Sequence, residues 1–353
     1  MEWMIIITVP EAIYCGSTIK RGILLKTKKV TITHIAQAMG LSPVSISRAL
    51  SNQPGISDEL KAAIVRKAAE MGYIKPKKHT PARILVLHQK PYSHDNSNFS
   101  YMVQGIELAL QKAETDYSIE FLDKENQIKL ILPYRLSRGF KFDGVILIGR
   151  FNLEYASFIH EQIPNLIFYT GYSPAYDYDS VWFSFLGAGY KQCKYLLDRG
   201  HRRIGFIGDP SAYRNKEKKT GITSALEEHG VPVDDKLFLG RDETLHLRLS
   251  GLIADGLLPS AFICDHDFTA VELLRELQEQ NIKVPGEVSV LSSGNTEVSA
   301  FSLPALTTMD LNIEYSCRTV VSTLLKRIAE PGKPAENIAI LSTLVERDSV
   351  REL

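Results

Sequence analysis

The stretch VTITHIAQAMGLSPVSISRALSN, residues 30–52, is the most informative part of this sequence. Its apolar residues recur at helical spacing in two short runs, and Gly40 interrupts the pattern between them. In the second run Ser42 suits an N-cap and Pro43 suits the first helical position. Two short helices joined by a tight turn form a helix-turn-helix, the arrangement that places a helix in the major groove of DNA.

The same spacing predicts which faces of this segment are buried. They comprise Ile32, Ile35, Ala36 and Met39 in the first helix, Ile46, Ala49 and Leu50 in the second, and Leu60, Ile64, Val65 and Ala68 in a third helix over residues 57–71. Between Lys28 and Thr80 nine cationic and three anionic residues give a formal charge of +6, whereas the whole chain is formally neutral. A basic helical module favours DNA phosphate contact, although helix-turn-helix packing also occurs in domains that never bind DNA.

The bulk composition indicates a small domain and a larger globular body. The chain has 353 residues, of which 44% are hydrophobic and 23% charged, as is common in soluble proteins. The four cysteines lack paired metal-ligand spacing, which favours a reducing cytoplasm and no bound metal. They are Cys15, Cys193, Cys264 and Cys317. No apolar run approaches the roughly eighteen residues that span a bilayer, so we expect no membrane partner.

Residues 1–27 fit neither the basic module nor the chain that follows. They do not resemble a signal peptide, because Glu2 stands where a cation is expected and Pro10 interrupts the apolar stretch. We expect an extension that is disordered or not translated, with the true start near Leu25.

From residue 84 onward, buried-strand patterns alternate with amphipathic helical patterns. The predicted strands cover residues 84–89, 143–149, 165–171, 203–208, 261–267 and 288–294, and the predicted helices cover 99–113, 152–162, 187–199, 216–230 and 268–281. Apolar strands separated by helices are typical of parallel sheets covered on both faces. So many repeats predict two doubly wound α/β lobes, with a ligand cleft at the carboxyl ends of the strands.

This body lacks the patterns that common catalytic and nucleotide sites need. It contains no GxxxxGK[ST] phosphate loop, no GxSxG nucleophile elbow and no HExxH zinc motif. Asp265 and Asp267 stand two residues apart at a strand end, where one ligand-binding carboxylate is a commoner arrangement than a catalytic pair. We therefore predict no enzymatic activity, no cofactor and no metal.

Several segments in the same order resemble the LacI/GalR (lactose-repressor) family of transcriptional regulators. They are residues 30–73, NSNFSYMVQGIELAL (96–110), YKQCKYLLDRGHRRIGFIG (190–208), VPGEVSVLS (284–292), PALTT (304–308) and LVERDS (344–349). The resemblance implies an all-α helix-turn-helix headpiece joined to a body like the periplasmic sugar-binding proteins. In that fold the chain crosses three times between the lobes.

The resemblance also implies roles for individual headpiece residues. Pro43 and Val44 would meet base edges at the start of the recognition helix, with Val44 offering a methyl contact suited to thymine. Arg48 would make a bidentate contact with guanine. Four hydroxyl residues would bind phosphate and fix the register. They are Thr31, Ser42, Ser45 and Ser47.

The effector pocket implied by the resemblance departs from the family pattern at several positions. The expected effector-binding residues are Asn96, Phe99, Arg150, Ser184, Lys218, Asp267 and Asn295. Carboxylates and amides grip sugar hydroxyls, and Phe99 is a stacking candidate. Because one acidic group of the family pattern is missing, the effector is expected to be a sugar phosphate or an unusual glycoside.

The linker and the C-terminus depart as well. Residues 75–83 form a shortened linker with Pro76 and Pro81, which discourage the family's hinge helix and its leucine wedge. Residues 28–74 then form the headpiece and 84–353 the two-lobed body.

Because no leucine heptads precede Leu353, we expect a homodimer that reads a pseudo-palindromic operator.

Together these observations predict a cytoplasmic, sequence-specific transcriptional repressor of carbohydrate-utilisation genes, switched by a small effector between the lobes. The alternative is a sugar-binding protein whose headpiece has lost DNA binding. The intact basic module and the absence of an export signal favour the repressor.

Overall fold

The computed structural model describes residues 30–51, 53–73, 81–89, 98–171, 177–242 and 244–353. The chain divides into two compact units, with the boundary between Thr80 and Pro81. The predicted extension over residues 1–27, most of the predicted linker over 75–83, and Asn96 lie outside the described residues.

The first unit contains the three predicted helices. They are α1 (Ile32–Met39), α2 (Pro43–Leu50) and α3 (Asp58–Glu70). Thr31, Ser42 and Ser57 cap the three N-termini, because each side-chain oxygen accepts a hydrogen bond from the backbone amide three residues ahead. Gly40 ends α1 in the left-handed conformation, with φ of 64°. Short-range polar groups therefore set the boundaries of the helix-turn-helix.

The three helices pack through a small apolar core. It consists of Ile35, Ala36, Ile46, Ala49, Ile64 and Ala68, which confirms these positions of the predicted buried faces. The predicted burial of Val65 is wrong, since this side chain is 51% exposed. Val65 follows Ile64 directly and therefore lies about 100° further round α3, beyond the surface that α1 and α2 cover.

The second unit alternates strands and helices. In chain order they are β1 (Arg83–Gln89), α4 (Phe99–Lys112), β2 (Asp116–Leu122), α5 (Lys124–Ile128), α6 (Tyr134–Ser137), β3 (Gly144–Ile148), α7 (Leu153–Gln162), β4 (Leu166–Tyr169), β5 (Asp179–Phe183), α8 (Phe185–Asp198), β6 (Ile204–Ile207), α9 (Tyr213–Glu228), β7 (Phe238–Leu239), α10 (Leu245–Ala254), β8 (Ala261–Cys264), α11 (Asp267–Glu279), β9 (Ser289–Gly294), α12 (Glu297–Phe301), β10 (Thr307–Asp310), α13 (Ile313–Ala329), β11 (Asn337–Ile340) and β12 (Thr343–Val345).

These strands form two six-stranded sheets, one in each lobe. The first has the order β11-β5-β4-β3-β1-β2 and the second the order β12-β10-β9-β8-β6-β7. Neighbouring strands are parallel, except that β12 runs antiparallel to β10. The predicted pair of doubly wound sheets is confirmed, with this one antiparallel edge.

The chain passes between the lobes three times, as the family resemblance implies. It leaves the first sheet after β5, returns from β10 into α13, and leaves again between β11 and β12. α13 packs on the first sheet, where Val320 and Leu324 are buried against Ile146, and α8 packs on the second sheet through Cys193 and Leu196. Each lobe is therefore built from discontinuous segments.

Most interior strands were predicted, whereas the interior strands β5 and β10 and several outer strands were not. The buried runs of β1, β3 and β8 match predicted strands. β2 lies at the edge of the first sheet with only Leu122 buried, so its sequence lacks a continuous apolar run. β12 has three residues and no buried position. The formation of such edge strands depends more on pairing with the neighbouring strand of the sheet than on their own sequence pattern.

Candidate nucleic-acid interface and effector cleft

Helix α2 presents the residues predicted to contact DNA on one surface of the headpiece. Pro43, Val44, Ser47 and Arg48 are exposed, and Ser45 is half-buried. Val44 keeps 63% of its surface accessible although it is apolar. The geometry therefore leaves one guanidinium, one methyl-bearing side chain and several hydroxyls on the same face.

Two of the predicted phosphate ligands also define the helix ends. The Thr31 hydroxyl oxygen accepts a hydrogen bond from the His34 amide at 3.4 Å, and the Ser42 oxygen accepts one from the Ser45 amide at 3.1 Å. The Ser42 and Ser45 hydroxyls lie 2.9 Å apart. A hydroxyl that accepts from an amide keeps its own hydrogen, and a helix N-terminus favours anions. Capping and phosphate contact are therefore compatible at these positions.

In the body, Lys218 of α9 lies at the carboxyl ends of the second sheet. This residue is 1% exposed, and its Nζ donates to the Asp265 backbone oxygen and to Ser293 Oγ, each at 2.8 Å. Burial lowers the pKa of Lys218 to about 8, because desolvation disfavours the charged form and outweighs the nearby carboxylates of Asp265 and Asp267. An ammonium group carries three donors, so these two hydrogen bonds leave one N–H for a ligand oxygen.

The pKa of Lys218 makes a prediction about stability. Between pH 8 and the ordinary value of 10.5, the unfolded chain binds this proton and the folded chain does not. Lys218 therefore adds up to about 3 kcal/mol to the free energy of unfolding across this window. Buried thiols such as Cys193, whose pKa burial raises to about 12, act in the opposite direction in every variant, so the test is the difference between proteins. In urea unfolding at several pH values, the unmodified protein should gain this amount relative to Lys218→Met. Lys216→Met, at an exposed position of the same helix, should keep it; equal pH dependence in all three proteins would contradict the prediction.

Asp267, which was predicted to bind the effector, is buried and connects three segments of the second lobe through hydrogen bonds. Its Oδ1 accepts hydrogen bonds from Ser292 Oγ at 2.6 Å and Thr308 Oγ1 at 2.7 Å. Its Oδ2 accepts from the Thr296 amide at 2.7 Å and from Thr296 Oγ1 at 2.8 Å. Each carboxylate oxygen thus already accepts two protein hydrogen bonds. The carboxylate joins β9, β10 and the start of α12, and its contact with an effector stays a prediction.

Asn295 is also engaged within the protein. Its Nδ2 donates to Asp310 Oδ2 at 3.0 Å, and its Oδ1 accepts from Arg347 Nη2 at 2.7 Å. The backbone has φ of 51°, a conformation that asparagine tolerates better than most residues. This geometry turns the amide toward the last residue of β10 and the segment after β12.

The remaining predicted effector residues come from the first lobe or from the crossing after it. The exposed Arg150 follows β3, and its guanidinium carbon lies 5.8 Å from the centre of the Tyr213 ring at the start of α9. Phe99 begins α4, with its ring centre 3.6 Å from that of the buried His88. Ser184 caps α8 by accepting from the Gly187 amide at 3.3 Å. The contact between Arg150 and Tyr213 shows that the strand ends of the two lobes face each other.

Comparison with known proteins fits this architecture. Residues 193–350 match the periplasmic binding protein-like domain family. Over 344 residues the chain is 24% identical to the HTH-type transcriptional regulator GanR of Bacillus subtilis, covering 91% of this chain and 99% of that protein. These matches confirm the predicted resemblance to the LacI/GalR regulators. The helix-turn-helix and the two-lobed body described above fit that resemblance.

Solved structures of LacI-type proteins share the fold of this chain. A lac repressor dimer bound to operator and an anti-inducer aligns with a TM-score of 0.65 at 18% identity, over 92% of this chain and all of that one. A complex of the transcriptional regulator CelR with cellobiose aligns with a TM-score of 0.64 at 20% identity, over 91% and 100% of the two chains.

Sequence reasoning missed most of the polar partners in the cleft. They are Gln192, Asn215, Ser292, Ser293, Thr296, Thr308 and Arg347. The polar ending SSGNT of the β9 segment, residues 292–296, was the one available signal, because apolar strands rarely end in five small or polar residues.

Within the described ranges no helix is long and apolar enough to cross a membrane, and no group of three potential metal ligands occurs.

Proposed function

We propose that this protein is a transcriptional repressor that binds a pseudo-palindromic operator as a homodimer and responds to a sugar or sugar-phosphate effector between its lobes. The observation that carries this proposal is the exposed recognition face of α2, with Val44 and Arg48 on a capped helix of a module with formal charge +6. A repressor of this kind acts in the cytoplasm, where it meets its operator. We propose the domain limits 28–74, 75–83 and 84–353 for headpiece, linker and body.

Three features of the body support effector binding and self-association. Lys218 holds one N–H for a ligand oxygen, and Arg150 and Phe99 lie at strand ends of the opposite lobe. The fold shared with the regulator CelR, whose solved structure is a cellobiose complex, favours a carbohydrate-related effector. Phe301 and Leu303 are 83% and 93% exposed, and a neighbouring pair of exposed large apolar residues favours an interface with a second copy.

The effector acts on DNA binding only if its affinity differs between the two lobe arrangements. Within this scheme Lys218, Arg150, Phe99 and Ser184 contact the effector, together with Asn96. Asp267 and Asn295 hold the β9 loop in place for that contact. Release of DNA on effector binding is the expected sign.

The test is binding to a genomic fragment from upstream of the gene, at physiological salt with excess non-specific DNA, while a panel of sugars and sugar phosphates is titrated. Protection of a two-fold site that one compound releases is the expected result. Lys218→Met should bind the same site and lose the release. Sugar binding without any specific DNA site would instead support the sugar-binding alternative.

Arg48→Ala separates base reading from general phosphate contact. The substitution should cost about 1–3 kcal/mol of operator binding and leave non-specific DNA binding nearly unchanged. Arg66→Ala, an exposed arginine of α3, serves as the matched control and should weaken both kinds of DNA about equally or not at all. An equal loss on operator and non-specific DNA for Arg48→Ala would remove this residue from base recognition.

A further inference from the structure

A groove that shares Asn295 with the predicted effector site, but does not include Lys218 among its described lining residues, runs between the two lobes beside α4. It has a volume of about 320 Å³, within the range of small-molecule sites. Residues of α4 form one wall, and the loop after β9 with the start of α13 forms the other. The lining residues are Asn98, Tyr101, Gln104, Gly105, Leu108, Gly294, Asn295, Thr296, Glu297, Asp310, Ile313 and Glu314.

Asn98 places an unsatisfied polar group in this groove. The residue is 7% exposed, and its Oδ1 accepts no hydrogen bond. Although Asn98 stands at the N-cap position of α4, its side chain makes no capping hydrogen bond. Leaving a buried amide oxygen without a hydrogen-bond donor costs free energy. The protein supplies no donor to this atom, so a donor group on a ligand would satisfy it.

The charge of the groove indicates which donor fits. Glu297, Asp310 and Glu314 line it, and no lysine or arginine is among its described lining residues. Arg318 pairs with Glu314 at 3.2 Å, but both side chains are at least half exposed, so this pair neutralises little of the field. Asp310 Oδ2 already accepts from Asn295, and a carboxylate oxygen can accept a second hydrogen bond.

Apolar groups complete the lining. Tyr101 and Leu108 are 41% and 63% exposed on the α4 side, and Ile313 lies opposite them. A ligand that fits all of these groups has a cationic donor at one end and a short apolar body at the other. An aromatic wall such as Tyr101 also attracts cations.

We propose that this groove binds a small organic cation, a primary amine with a short apolar body. Of the three N–H donors of its ammonium group, one donates to Asn98 Oδ1 and the other two to carboxylates among Glu297, Asp310 and Glu314. The body lies against Tyr101 and Leu108. Since α4 belongs to the first lobe and Glu297 to the second, a bound amine favours one arrangement of the lobes over another.

The test uses benzylamine and its uncharged analogue benzyl alcohol, titrated calorimetrically into the full-length protein at low and physiological salt. Benzylamine should bind saturably, and at least about tenfold more tightly than the alcohol. Glu297→Gln and Glu314→Gln should each weaken benzylamine binding about threefold, and the double variant about tenfold. Leu108→Lys, at an exposed position, should abolish binding because its own ammonium group competes for the groove.

Glu330→Gln is the matched control, since this exposed residue lies just beyond the other end of α13 and the substitution changes the charge equally. It should leave benzylamine binding unchanged. A loss in Glu330→Gln as large as in Glu314→Gln, equal binding of Mg²⁺, or no saturable binding would each overturn the assignment. Dissociation of a dimer by the double variant without amine would assign the groove to a second copy of the chain.

Discussion

Replacing Gly221 with alanine is expected to destabilise the two-lobed body by about 2–3 kcal/mol or more. Gly221 lies in α9 where this helix crosses α8. A Cβ at this position would collide with the backbone oxygen of Leu186 and lie 2.7 Å from the backbone nitrogen of Tyr190. Because the obstructing atoms belong to the backbone, no side chain can rotate away, and the two helices must separate.

Urea unfolding of the full chain checks this expectation. The matched control is Gly251→Ala in α10, where an added Cβ meets nothing within 4 Å. That substitution should leave the stability unchanged or raise it by up to about 1 kcal/mol, since alanine favours helix more than glycine does. If both alanine variants were equally stable, the close crossing of α8 and α9 would be absent.

The same crossing positions Lys218. A Cβ on Gly189 would collide with the backbone oxygen of Lys218, so the two helices meet backbone to backbone at this residue. Separation of the helices in Gly221→Ala therefore moves Lys218 away from Ser293, and we expect the folded fraction of this variant to bind the effector more weakly as well.

Asp267→Ala is expected to cost about 3–5 kcal/mol in the free energy of unfolding. The substitution leaves the hydroxyls of Ser292, Thr308 and Thr296 and the Thr296 amide without their acceptor in a buried site. The loop after β9 then loses its connection to β10 and α12.

Thermal and urea unfolding measure this loss, with Asp255→Ala as the control because Asp255 is exposed. Asp267→Asn keeps the volume and one acceptor oxygen, and its stability should lie between those of the alanine variant and the unmodified protein. A stability loss below about 1 kcal/mol in Asp267→Ala would contradict the structural role and return the residue to the set of free effector ligands.

Local sequence was a sufficient guide to the headpiece. Thr31, Ser42 and Ser57 cap helices through hydrogen bonds that reach only three residues along the chain, so their roles can be predicted from neighbouring residues. Burial in α3 was less predictable. Ile64 and Val65 are both apolar, and only the packing of α1 and α2 decides that the first is buried and the second exposed.

The effector cleft shows the opposite case. The residue types of Lys218, Asp267 and Asn295 indicated a polar site at strand ends, and the structure places all three there. Their hydrogen-bond partners lie between 13 and 75 positions away in the sequence, and no local pattern identifies them. The tertiary fold therefore decides that the Asp267 carboxylate already has four donors and that the Lys218 ammonium group keeps one N–H free.

The sequence by itself determined the helix-turn-helix, the basic charge of the headpiece and the doubly wound body, because caps, charge and apolar periodicity act over a few residues. Only the tertiary structure decided that Asp267 joins three segments, that Lys218 is buried with a lowered pKa, and that α4 and α13 enclose an acidic groove. These properties arise from desolvation and from contacts between distant segments, which exist only after the lobes have formed.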